Sequence, residues 1–282
     1  MPTLLALLCL AAADEVGVSA ESGDTLFAEG TALSLAWFHY RKTKVYHGSH
    51  KVGDAPDEEH ADLLIASALY AIDVDTNLGL VVPYESNEEM AGLADSTIFF
   101  KRRLYYDSDT DGGWAFTTAL AVALQLPTGD SHEAGVDPER RLGSGSWDPF
   151  AGLAATVEVG RVFSSAYANT QLNTRGTDAF KHGDILVAGF LAGWRPWMEK
   201  YPGPMLVLET GLTWEHESVA TDHGERVDDS GSDVLFVPFR AMFSPRSGYN
   251  FSAGLDLPVY RRYRGDQLAT DYRLTLGFSC VF

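Results

Sequence analysis

Residues 272–282 read YRLTLGFSCVF and alternate without a break: Tyr272, Leu274, Leu276, Phe278, Cys280 and Phe282 fall on one side, Arg273, Thr275, Gly277, Ser279 and Val281 on the other. A period of two is the mark of a β-strand, whose successive side chains leave opposite faces of the sheet. One face here is apolar and the other small or polar. The preceding stretch repeats this, with Tyr249, Phe251, Ala253, Leu255, Leu257 and Val259 against Asn250, Ser252, Gly254 and Asp256. Noisier versions recur at 235–243, 206–214, 186–194 and 153–159.

Working outward from these, the pattern predicts about twelve strands, at 31–46, 63–72, 76–84, 93–107, 113–127, 148–159, 161–175, 184–196, 203–217, 233–244, 247–262 and 268–282. The links between them alternate in length. Short ones lie at 73–75, 107–112, 160–161, 197–202 and 245–246; longer polar ones at 47–62, 85–92, 128–147, 176–183, 218–232 and, shorter again, 263–267. A soluble two-sheet sandwich, the alternative for an all-β chain, has no need of that alternation. A transmembrane barrel has it, with short turns in the periplasm and long loops outside the cell. Hydrocarbon offers no hydrogen-bond partner, so every backbone N–H and C=O must be paired and the sheet must close. The expected fold is therefore all-β: a single antiparallel transmembrane β-barrel with short periplasmic turns and long acidic extracellular loops.

Composition agrees. The chain has 282 residues, 45% hydrophobic, with 27 Gly, 12 Tyr, 15 Phe and 6 Trp. Its formal charge of −18, from 39 acidic against 21 basic residues, opposes binding to nucleic acid. No uncharged apolar run approaches the roughly 18 residues of a spanning helix. The opening MPTLLALLCLAAA has a short apolar core ending in small residues, so 1–13 is expected to be a secretory signal peptide, despite lacking a basic start. Leu8 before Cys9 argues against lipidation. Residues 14–30 are expected to form a periplasmic segment and 31–282 the barrel. Tyr105, Tyr106, Trp114, Trp194, Trp197, Tyr249 and Phe282 fall near the short-turn ends, as a periplasmic aromatic girdle would.

Four motifs, LPTGD at 126–130, LGSGSWDPFAGLAA at 142–155, YANTQLNTRG at 167–176 and FKHGDILVAGFLAGWRP at 180–196, resemble the outer-membrane barrel family labelled the MetA pathway of phenol degradation, whose members are often called transporters. The resemblance runs from about residue 63 to Phe282 and implies passage of small, hydrophobic or aromatic compounds. It carries no catalytic residues. Phe282 also resembles the terminal aromatic by which such proteins are handed to the barrel-assembly machinery. The N-terminal part matches less well.

The alternation turns Lys101, Arg103, Glu158, Glu209, Glu215, Arg240, Asp256 and Arg273 inward. These charges of both signs either line a selective pore or pair across strands and fill a narrow barrel. His47, His50 and His60 share a link with Asp54, Asp57, Glu58 and Glu59, but their spacing matches no zinc motif, so a solvated polar loop is expected rather than a metal site. The glycines around Thr128–Asp130 and 143–146 permit either an inward-folded constriction or a free exterior loop. His216 and Ser218 are too few for a hydrolase without a third group to orient them. The expected function is a porin-like outer-membrane channel or transporter for passive passage of small solutes, without cofactor or metal. Its partners would be outer-membrane lipids, the assembly machinery and the solute. A lipid-modifying enzyme and a non-conducting structural or binding barrel are the alternatives.

Overall fold

The computed structural model of the chain describes residues 20–109, 111–133, 135–200, 203–246 and 248–282, apart from the side chains of 56–58; the expected signal peptide lies outside the described residues. The strands are β1 (Thr31–Gly48), β2 (His50–Asp73), β3 (Thr76–Ser86), β4 (Ala91–Leu93), β5 (Thr97–Asp109), β6 (Trp114–Gln125), β7 (Asp148–Val159) and β8 (Val162–Gln171). They continue with β9 (Phe180–Lys181), β10 (Ile185–Met198), β11 (Met205–Glu217), β12 (Thr221–Asp222), β13 (Glu225–Arg226), β14 (Ser232–Arg246) and β15 (Tyr249–Val281). None of the helices among the described residues is long and apolar enough to cross a membrane.

The wall runs β2-β1-β15-β14-β11-β10-β8-β7-β6-β5-β3, and β2 pairs antiparallel with β3 to close it. β4 caps the far end of β3, and β9, β12 and β13 form a small separate sheet. β15 is one run of extended backbone that turns back on itself at Gly265, whose φ of 68° suits glycine. Its first arm pairs with β14 and its second with β1. The two arms also face each other: Asn250 Nδ2 donates to Ser279 Oγ at 3.1 Å, and the Phe251 and Phe278 rings are 5.2 Å apart. Eleven continuous runs thus supply twelve arms, the number the alternation predicts.

Two expected loops are strand instead. The 47–62 link is part of the β1–β2 hairpin, with His47 opposite His50, Lys44 opposite Asp54 and Lys42 opposite Glu59. The 263–267 link lies inside β15. Polar side chains mark where these strands leave hydrocarbon, not where pairing stops, because water-exposed backbone still gains from a ladder. His47 pairs with Asp266 at 2.8 Å and His60 approaches Glu88 at 3.7 Å.

Alternation holds around the ring. Leu33, Leu35, Leu78, Leu80, Leu153, Phe190, Leu212 and Leu276 point out and are exposed, while Ala36, Phe38, Leu63, Ile65, Val81, Phe99 and Leu191 point in and are buried. The expected girdle residues are also exposed at the short-turn end, from Trp114 at 36% to Phe282 at 65%. A closed barrel with such an outer surface is stable only against hydrocarbon, and this is the form in which a sheet spans the bacterial outer membrane. The ends meet at the short-turn rim, where Thr31 N donates to Phe282 O at 2.8 Å and Phe282 N to Thr31 O at 2.9 Å.

The ladder between β11 and β14 lapses between the pairs Thr210↔Phe239 and Thr213↔Phe236. Pro238, which has no N–H to give, sits in the gap, and Thr210 Oγ1 donates to its carbonyl at 2.8 Å.

Candidate functional site

The inner wall has two characters. One part is apolar, where Phe38 of β1, Leu63 and Ile65 of β2, Phe99 of β5 and Val187 and Leu191 of β10 form one buried cluster. Along β11, β14 and β15 it is charged. Arg273 donates from Nη1 and Nη2 to the two Glu215 carboxylate oxygens at 2.6 and 2.8 Å. β14 and the first arm of β15 lie between these residues, so the pair crosses in front of the wall. The Phe236 ring of β14 lies 4.1 Å beneath the guanidinium. Asp256, opposite Pro238, feels the charges of both Arg240 and Arg273.

Arg240 faces Glu209 across the β11–β14 ladder, 3.4 Å away, and donates at 2.7 Å to Glu21. Glu21 belongs to the segment expected in the periplasm; the described part of that segment, 20–30, instead runs into the barrel. From the rim, Glu29 N donates to Ala71 O at 3.0 Å, and Thr25 Oγ1 to Val74 O at 2.7 Å. Gly23 N then donates to Thr156 Oγ1 on β7 at 3.0 Å. A Cβ on Gly23 would lie 2.7 Å from Thr117 O, so this close approach to β6 requires glycine. The described part of the segment reaches Arg240 through Glu21, and Ala20 and Glu21 are 3% and 5% exposed.

The other expected residues also face inward. Lys101 is 1% exposed on β5, opposite Asn77. Arg103 is at the short-turn end and binds Asp75 at 2.6 Å, with its guanidinium 4.9 Å from the Tyr106 ring centroid. Glu158 binds Arg195 at 2.7 Å, and Arg195 covers the Phe163 ring. Glu209, Glu215, Arg240, Asp256 and Arg273 come together; Arg103 and Glu158 stand apart from them near the rim. Glu21 escapes a reading of alternation because it is not on a strand, whereas Arg195 on β10 and Tyr167 on β8 face inward by the same period as the expected residues and could have been found by it.

The extracellular mouth is built from the motifs quoted above. Asp95, 3% exposed, accepts from Gly129 N at 2.8 Å, from Ser144 N and Oγ at 2.7 Å each, and from Gln125 Nε2 at 3.1 Å. Asp148 accepts from Ser146 Oγ at 2.8 Å and from Thr174 N at 2.7 Å. Leu142 is drawn into the inner apolar cluster. The 126–147 link is thus pinned to the inner wall, which favours the constriction over a free exterior loop.

Farther out, Arg141 binds Asp178 at 2.7 Å and holds its carboxyl below the usual carboxylate range. Burial holds the His182 imidazole, edge-on to Phe180, well below the usual histidine range. The folded chain therefore keeps His182 neutral, whereas the unfolded chain takes up a proton as the pH falls through about 6.5. This contribution to stability is full above that pH and declines below it. A His182→Gln chain is expected to show a shallower loss of unfolding midpoint between pH 7 and pH 5 than the native chain, measured by urea titration in detergent.

His216 pairs with Asp233 at 2.8 Å, and Ser218 Oγ accepts from Asp184 N at 2.7 Å. Each has its own neighbour, and no hydrogen bond joins the two among the described residues. On the bilayer side an apolar concavity of 860 Å³ runs from Trp194 across Leu208, Phe239 and Leu255 to Trp37.

No family model matches the chain. No curated protein sequence matches it either. Among solved structures, the COG4313 outer membrane channel from Pseudomonas putida F1 aligns with a TM-score of 0.68 and 18% identity, over 92% of this chain and 97% of that one. The translocator domain of the autotransporter NalP from Neisseria meningitidis aligns at 0.48 with 10% identity, over 99% and 95%. The KdgM porin aligns at 0.42 with 10% identity, over 87% and 99%. What the chain shares with the Pseudomonas channel is the fold of an outer-membrane channel barrel, nearly end to end.

Proposed function

We propose that the chain is an outer-membrane channel through which small solutes, hydrophobic and aromatic compounds among them, pass passively. The observation that carries this is the mixed lining of the lumen: a buried apolar cluster with side chains from β1, β2, β5 and β10 borders the charged cluster of Glu209, Glu215, Arg240, Asp256 and Arg273 on β11, β14 and β15. Such a passage suits a molecule with an apolar body and one polar group. The fold shared with the Pseudomonas channel and the resemblance of the mouth motifs support the same reading. Lys101, Arg103 and Glu158 complete the proposed lining. In this account 1–13 serves for export and Phe282 for assembly.

Liposome swelling tests it. Vesicles holding the refolded chain, placed in isotonic solutions of small aromatic alcohols, aromatic acids or sugars, are expected to swell several-fold faster than empty vesicles for the aromatic solutes. Swelling no faster than empty vesicles, from protein shown to be folded by its resistance to protease, would contradict it. Arg240→Glu should also shift the channel's ion preference toward cations, read as a change in reversal potential under a salt gradient. An unchanged potential would remove Arg240 from the lining.

A further inference from the structure

Glu209, Glu215 and Asp256 belong to the wall and have fixed places in the lumen; Glu21 does not. It is brought in by a segment that crosses the lumen, donates to the wall from main-chain and hydroxyl groups, and packs Ala20 and Leu26 against the inner apolar cluster. Its carboxylate takes the Arg240 guanidinium at 2.7 Å. It also bonds the Tyr167 hydroxyl, which is fixed in turn by Thr213 Oγ1 at 2.9 Å. A guanidinium and a phenol converging on one carboxylate form a built carboxylate subsite. The Glu209 contact at 3.4 Å orients the guanidinium from the other side. Tyr167 is packed within the apolar cluster that holds Ala154, Val187 and Leu191, so a ring attached to the carboxylate would lie against an apolar wall.

We infer that the place now held by Glu21 is the barrel's binding subsite for a small aromatic carboxylate, and that the 20–30 segment is a tethered competitor which such a solute displaces. This rests on the channel reading and names its solute class. A tethered carboxylate presents a local concentration in the millimolar range. A free carboxylate therefore binds the native chain more weakly than it binds a chain without Glu21, and its arrival frees the strap.

The test is titration of the refolded chain in detergent with benzoate, and with benzamide as its uncharged counterpart, followed by calorimetry. Glu21→Ala is expected to bind benzoate about tenfold more tightly than the native chain. Asp24→Asn should leave the affinity unchanged, because it removes a charge from the same segment at a carboxylate that takes the Ser22 hydroxyl rather than Arg240. Arg240→Gln should lose benzoate binding, and Tyr167→Phe, which keeps the ring, should weaken it several-fold even if the Arg240 variant folds poorly. Benzamide should bind weakly and alike to every variant. Equal benzoate affinity for the native and Glu21→Ala chains, or unchanged affinity in Tyr167→Phe, overturns the inference. Conductance of the same variants reads the channel separately: predicted benzoate binding with no conducting variant defeats the channel and leaves the subsite standing. Conducting variants with indifferent benzoate affinity do the reverse.

Discussion

Replacing Asp95 by alanine is expected to release the extracellular link at 126–147 while leaving the barrel closed. The carboxylate is buried and accepts from two backbone amides, one hydroxyl and one carboxamide. Its loss leaves those donors buried without an acceptor, at about 1–3 kcal/mol each before relaxation and water entry. Since the four are not additive, the expected cost is about 3–5 kcal/mol. Asp95→Asn, which keeps one acceptor oxygen, should cost about half as much. The local readout is trypsin cleavage after Arg140 and Arg141. In the native chain Arg141 is tied down by Ser131 O at 2.9 Å, Val136 O at 3.2 Å and Asp178 at 2.7 Å, and cleavage should be slow. In Asp95→Ala it should be at least tenfold faster while the barrel itself resists. Native rates in the variant would show that something other than Asp95 holds the mouth.

The second large effect is expected at Arg273. Its pair with Glu215 is bidentate, and the two side chains are 8% and 14% exposed. An exposed pair would contribute under about 1 kcal/mol. A buried pair broken from one side leaves a charge with no counter-ion, which costs about 3–5 kcal/mol. Arg273→Met should lower the unfolding free energy in urea by that amount, and Arg273→Met with Glu215→Leu should recover most of the loss. A single-variant cost below about 1 kcal/mol, or a double variant no better than the single, would show that this pair is solvated within the lumen.

The wall was legible because one physical rule, alternation between lipid and lumen, operates on every strand that crosses the hydrocarbon. It placed Lys101, Arg103, Glu158, Glu209, Glu215, Arg240, Asp256 and Arg273 on the inner face without any knowledge of neighbours. The same rule has nothing to say above the membrane, where the polar run 47–62 continues as a paired hairpin although its side chains no longer alternate. Partnerships were hidden for a different reason. Arg273 and Glu215 are 58 residues apart and not on adjacent strands, so their meeting depends on curvature and register that no single segment encodes. Glu21 sits in an aperiodic segment before the first strand, and only the closed barrel shows that the segment has a lumen to enter. Asp95 lies in the three-residue link Ala94–Asp95–Ser96 between β4 and β5, where the pattern predicts an unbroken strand over 93–107, and its role is defined by loop amides that arrive from some 34 and 49 residues away.

Whether this barrel conducts solutes is decided by planar-bilayer recording of the chain from residue 14 onward beside a chain beginning at Gly30, which lacks the strap. Unit conductance steps are expected from both, with the strapless chain open for a several-fold larger fraction of the time. Silence from the strapless chain, once its barrel is shown to be closed and protease-resistant in the same membrane, would contradict conduction by this barrel.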